Sequence, residues 1–72
     1  MTIEVGKKYK TRGGMVATIT EDISDWSRLY QFKGFVSNQK GEVVRAICMW
    51  TSSGLYNVDR ETNFDLLNII EE

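Results

Sequence analysis

The chain has 72 residues, a formal net charge of −1, one cysteine and no histidine. That length holds a single domain, residues 1–72, and a domain of this size buries only roughly 60% of the surface of its unfolded chain. One cysteine excludes an internal disulfide, and the lack of histidine removes Ser-His-Asp and Cys-His catalysis together with a common metal ligand.

An apolar share of 42% is ordinary for a globular protein and argues against disorder. Because the core is small and has no staple, association into a homo-oligomer is the expected supplement. Polymeric DNA and RNA are disfavoured as partners, since their binding calls for a basic excess. No apolar run approaches the roughly 20 residues of a membrane span, and no signal-peptide pattern opens the chain. With its lone cysteine the chain suits a reducing compartment, so a cytoplasmic protein without a membrane partner is expected.

In chain order, residues 1–5 alternate polar and apolar up to Gly6, which predicts a short lead-in strand or an extended arm. Residues 8–11 (KYKT) alternate again with Tyr9 inward, and Arg12-Gly13-Gly14 supplies a turn. Residues 15–20 (MVATIT) return as the second half of a hairpin, with Met15, Ala17 and Ile19 on one face. Residues 21–27 (EDISDWS) form a polar connector that holds Ile23 and Trp26 and has room for one helical turn. Residues 28–37 (RLYQFKGFVS) predict a strand with Tyr30, Phe32, Gly34 and Val36 on one face. Gly34 within it points to a bend or to close approach of another backbone. After a hairpin turn at 38–41, residues 42–50 are apolar on nearly both faces, with Arg45 grouped on the face of Val43, Ile47 and Met49. Such a strand is central, or has one face covered by a partner subunit. Residues 51–54 turn the chain, 55–58 are expected as a short return strand, and 59–63 as a charged loop. Residues 64–70 (FDLLNII) fit a last strand or a short helix, and suit the strand slightly better. The predicted class is all-β: a small five- or six-stranded antiparallel barrel or curled sheet, SH3-like, with at most one short helical turn.

The chemistry available is that of binding. Cys48 lies in the most apolar strand, where a thiol is inert packing. Arg12-Gly13-Gly14 lacks the Gly-Lys-Ser/Thr of a phosphate loop, and Glu21, Asp22 and Asp25 read as a solvated connector rather than a cation site. No catalytic residue, metal ligand or cofactor is expected, and the chain does not read as an enzyme. Trp26, Tyr30, Trp50 and Tyr56 are aromatics with polar tips, and Arg12, Arg28, Arg45 and Arg60 can contact phosphate. Stacking of a base on an aromatic ring contributes about 1–3 kcal/mol, so a few converging elements would hold a nucleotide. The plain alternative has Trp50 and Tyr30 filling the core, Tyr56 propping a hairpin and the arginines in solvent. Arg45 resists that alternative, because a mid-strand charge among apolar neighbours either protects an edge or faces a ligand or subunit.

Tyr9-Lys10-Thr11-Arg12-Gly13-Gly14, then Ala17 and Ile19, Gly34, Trp50-Thr51-x-x-Gly54-x-Tyr56 and Asp65-Leu66-Leu67 follow one another in a suggestive order. The series resembles a widespread group of very short phage-encoded proteins. Their pattern reads Y-x-T-R-D-G, a middle strand with a glycine, W-T-x-x-G-x-Y and D-L-V/L. The resemblance covers about residues 9–67, and the Trp-Thr-x-x-Gly-x-Tyr hairpin is its most specific piece; Gly13 stands where the group commonly has aspartate. Small phage proteins of this kind are often counter-defence factors, which implies a cyclic-nucleotide sponge acting as a homo-oligomer in the host cytosol. On that expectation Trp50 or Tyr56 stacks on a base of a cyclic dinucleotide or related ligand. Arg12 and Arg45 then hold phosphates, and Thr51 and Ser52 supply hydrogen bonds. The rival from another class is an SH3-like protein-interaction module, a monomer with an exposed aromatic groove for a host or phage polypeptide. A nucleic-acid accessory role rests only on the basic residues 7–12 and is disfavoured by the near-neutral charge.

Overall fold

The computed structural model describes residues 2–25 and 27–70. Its strands are β1 (Lys8–Thr11), β2 (Val16–Asp22), β3 (Phe32–Ser37), β4 (Val43–Trp50) and β5 (Leu66–Ile70), and no helix occurs among the described residues. They form one sheet in the order β4-β3-β2-β1-β5 with every neighbouring pair antiparallel. The expected first hairpin is present. Thr11 closes its turn by taking the Met15 N–H on Oγ1 at 3.0 Å and the Gly14 N–H on its carbonyl at 3.0 Å.

Alternation places Tyr9, Ala17, Ile19, Val36, Cys48, Trp50 and Leu66 on one face, where Ile3 joins them and Met15, Phe32, Tyr56 and Phe64 pack against the cluster. Gly34 lies in this layer because a Cβ there would collide with the Thr18 carbonyl on β2. Residues 2–5 form an arm rather than a strand. The Tyr9 hydroxyl fastens it by accepting the Glu4 N–H at 2.8 Å and donating to the Thr2 carbonyl at 3.2 Å. The connector after β2 makes a single turn closed by the Ser27 N–H on the Ile23 carbonyl, 3.0 Å, while Trp26 lies outside the described residues. Asp22 starts that turn by accepting the N–H and hydroxyl of Ser24 at 2.9 and 2.6 Å. The third strand begins at Phe32, so residues 28–31 belong to the connector.

The sheet is curled and not closed into a barrel, because β4 and β5 are its two free edges. At one end the edges are nevertheless tied together. The Trp50 indole N–H donates to the Phe64 carbonyl at 2.8 Å, and the Leu66 N–H donates to the Gly54 carbonyl at 2.9 Å.

Three further expectations are corrected. The apolar strand at 42–50 is an edge strand, not a central one, because the last strand returns to β1. Residues 55–58 form no strand: the Tyr56 N–H is taken by the Asp65 carboxylate at 3.0 Å, which draws the chain toward β5 instead of back along β4. Arg45 is not on the face of Ile47 and Met49. Register irregularities pair Gly34 with Cys48 but Val36 with Arg45, so extra residues on β4 rotate Arg45 to the side of the buried Val36.

Candidate functional site

The site is built on the connection from β4 to β5, residues 51–65, and its foundation is the Trp-Thr-x-x-Gly-x-Tyr segment. Trp50 is fully buried and Thr51 is buried beside it. The Thr51 hydroxyl accepts the N–H groups of Ser53 and Leu55 at 3.3 and 3.1 Å, and its backbone N–H donates to the Leu55 carbonyl at 3.0 Å. Gly54, at φ 87°, adopts the left-handed conformation that completes the turn, and its N–H returns to the Thr51 carbonyl.

The other half hangs on Asp65, which is 1% exposed. Its carboxylate accepts the Tyr56 N–H, the Thr62 N–H and the Thr62 hydroxyl, each at 3.0 Å, and lies 3.7 Å from Arg12 Nε. Its backbone carbonyl takes the Arg12 N–H at 2.8 Å. Burial opposes ionisation of this group. The hydrogen bonds from Tyr56 and Thr62, aided by the Arg12 charge, outweigh it and hold the carboxyl below its ordinary value. The Trp50 indole, the Thr51 hydroxyl and the Asp65 carboxylate, with the backbone N–H groups of Tyr56 and Leu66, therefore tie the ends of the two edge strands.

Above this framework lies an open depression of about 580 Å³, with Arg12, Tyr56, Arg60, Glu61, Thr62 and Phe64 among its walls. The rings of Tyr56 and Phe64 have centroids 5.1 Å apart at 47°. The rotation of β4 carries the Arg45 guanidinium onto them, 5.1 Å from the Phe64 centroid and 5.9 Å from that of Tyr56. Arg12 Nη1 is 3.9 Å from Glu61 Oε2. Cationic groups thus lie beside an aromatic pair, a combination suited to a planar anion. Cys48 is buried below; burial pushes its thiol up, with the Arg45 charge opposing.

Of the residues anticipated for ligand binding, Arg12 and Tyr56 line the depression and Arg45 adjoins it through the rings. Trp50 has no exposed face on which a base could stack. Thr51 turns its hydroxyl to the backbone, and Ser52 is exposed on the turn outside the depression's walls. Phe64, Thr62 and Glu61 were not anticipated as walls. The available signal was the stretch between Gly54 and Leu66, too long for a tight hairpin and carrying Arg60. No family model, no curated protein and no solved structure matches the chain.

Proposed function

We propose that the protein is a non-enzymatic phage binding protein of the host cytosol that sequesters a cyclic (oligo)nucleotide immune signal and so counters antiviral defence. The observation that carries this reading is the depression in which Arg12 and Arg60 flank the Tyr56 and Phe64 rings. Its volume falls within the range of about 300–1,000 Å³ usual for small-ligand sites. In this reading a phosphate lies between Arg12 and Arg60 and a base packs against Tyr56, with Arg45 adding positive charge from the same rings. No general base or nucleophile is assigned, since capture alone removes the signal. The chain acts as a homo-oligomer in which subunits cover the apolar side chains of β4. Calorimetric titration with cyclic di-AMP, cyclic di-GMP and cyclic GMP-AMP tests the reading. Micromolar or tighter binding that is lost in Arg60→Ala and Tyr56→Ala supports it, and no heat from any of the three at micromolar concentration sinks it.

One observation favours a second reading, the SH3-like interaction module. β4 is an edge strand that exposes Val43, Val44, Ile47 and Met49, and an open edge of that kind accepts an extended polypeptide as an added strand. This reading predicts a monomer with no nucleotide affinity, so sedimentation of the free protein separates the two.

A further inference from the structure

Arg12 meets two carboxylates of different character. Its Nε side faces Asp65, which is buried and held by three further hydrogen bonds, so this side of the guanidinium has a fixed reference. Its Nη1 lies 3.9 Å from Glu61 Oε2, and Glu61 stands in the wall of the depression with 78% of its side chain exposed. An exposed ion pair at that separation contributes little to stability, whereas a phosphate can take short charge-assisted hydrogen bonds from the same guanidinium. Glu61 therefore occupies, with a weakly held carboxylate, the place where a ligand anion would meet Arg12.

We propose that Glu61 is the internal occupant of the anion subsite: it sits against Arg12 in the free protein and is displaced by the ligand's phosphate. The inference rests on the nucleotide reading of the depression and identifies within it the residue that sets how strong an anion must be to bind. Asp65 keeps Arg12 oriented while Glu61 leaves, so displacement asks for a swing of the exposed Glu61 side chain and leaves the sheet and the Thr62–Asp65 hydrogen bonds in place. A doubly charged or bidentate phosphate group displaces it, whereas a neutral nucleoside does not.

The test compares the full chain with Glu61→Gln and with Glu21→Gln, which removes the same charge outside the depression's walls. Each is titrated with inorganic pyrophosphate and with cyclic di-AMP, cyclic di-GMP and cyclic GMP-AMP. Loss of one carboxylate charge beside the bound anion is expected to tighten binding roughly three- to tenfold at low ionic strength, and the gain shrinks as salt screens it. Glu21→Gln stays at the wild-type affinity. If wild type binds and Glu61→Gln binds no tighter than Glu21→Gln, the displacement proposal is overturned while the nucleotide reading stands. If neither wild type nor Glu61→Gln binds any of the three cyclic dinucleotides, the nucleotide reading falls and takes the proposal with it, whether or not pyrophosphate binds. Circular dichroism of each variant checks that the sheet is unchanged, as expected for an exposed side chain.

Discussion

Trp50 is the largest fully buried side chain among the described residues and also a crosslink, since its indole N–H reaches the Phe64 carbonyl across the gap between the edge strands. Phenylalanine at this position keeps an aromatic ring but leaves that carbonyl without its donor. Trp50→Phe is therefore expected to lower stability by about 1–3 kcal/mol in urea denaturation. An unchanged midpoint would show that the bond contributes nothing. Asp65 holds the opposite end of the same framework, and its carboxyl is depressed below the ordinary 3.8. A depressed carboxyl contributes stability that is present above its unfolded value and lost as pH falls through its folded one. At neutral pH Asp65→Asn is expected to cost about 2 kcal/mol, because an amide cannot replace a charged acceptor of several hydrogen bonds. The difference between wild type and variant should then shrink as the pH is lowered from about 4. A gap that is constant down to pH 2 would assign the effect to packing alone. Asp22, lowered by its Ser24 hydrogen bonds, titrates in the same direction in both proteins and does not alter the comparison. Trp50 and Asp65 show where residue types inform and where they stop. The sequence marked Trp50 as important and favoured the core without closing the binding surface, since a buried and a stacking tryptophan are the same letter.

At the scale of elements, plain alternation put Tyr9 inward and grouped Ala17 with Ile19 and Gly34 with Val36, which are the faces the sheet buries. The same reasoning misplaced Arg45. A bulge shifts alternation by one residue, and nothing in V-V-R-A-I-C-M announces it: the deciding factor is the register against β3. Gly34 was readable because a glycine inside a strand has few purposes. Its tight approach to the Thr18 carbonyl makes Gly34→Ala an informative variant: β2 and β3 must separate to admit the methyl group. The expected loss is about 1–3 kcal/mol, read from thermal unfolding. Retained stability would mean that the two strands yield without cost.

Across the whole molecule, strand content and class were legible while the neighbours of each strand were not. Composition distinguishes a two-faced apolar strand from an amphipathic one, but it does not say whether the second face meets a strand, a subunit or water. Here β4 has β3 on one side and none of the other strands on the other. Ile47, 66% exposed, is its most accessible large apolar side chain. If β4 is the oligomer interface, the wild type sediments as an oligomer, whereas Ile47→Lys sediments as a monomer with stability within about 0.5 kcal/mol of an isolated subunit. A wild-type protein that sediments as a monomer at high concentration would remove the oligomer and favour the polypeptide-binding reading. The depression was only partly legible for the same reason. Arg12 and Tyr56 are far apart in the sequence, and the pairing of β1 with β5, the bonds of both residues to Asp65 and the tie from Trp50 gather them with Phe64.

The pairing of β1 with β5 also orders events in time. The other three strand pairings join consecutive strands and can zip as local hairpins, whereas this one spans nearly the whole sequence and carries the larger closure entropy. The four-strand meander can thus assemble first and the final strand dock onto it afterwards, bringing Phe64 and Asp65. Those two residues complete the aromatic wall and the anchorage of Arg12, so in the proposed nucleotide reading recognition switches on at the last step of folding. Stopped-flow refolding in the presence of whichever cyclic dinucleotide the titrations show to bind should show capture lagging behind the recovery of sheet signal; simultaneous recovery would place the docking of β5 earlier.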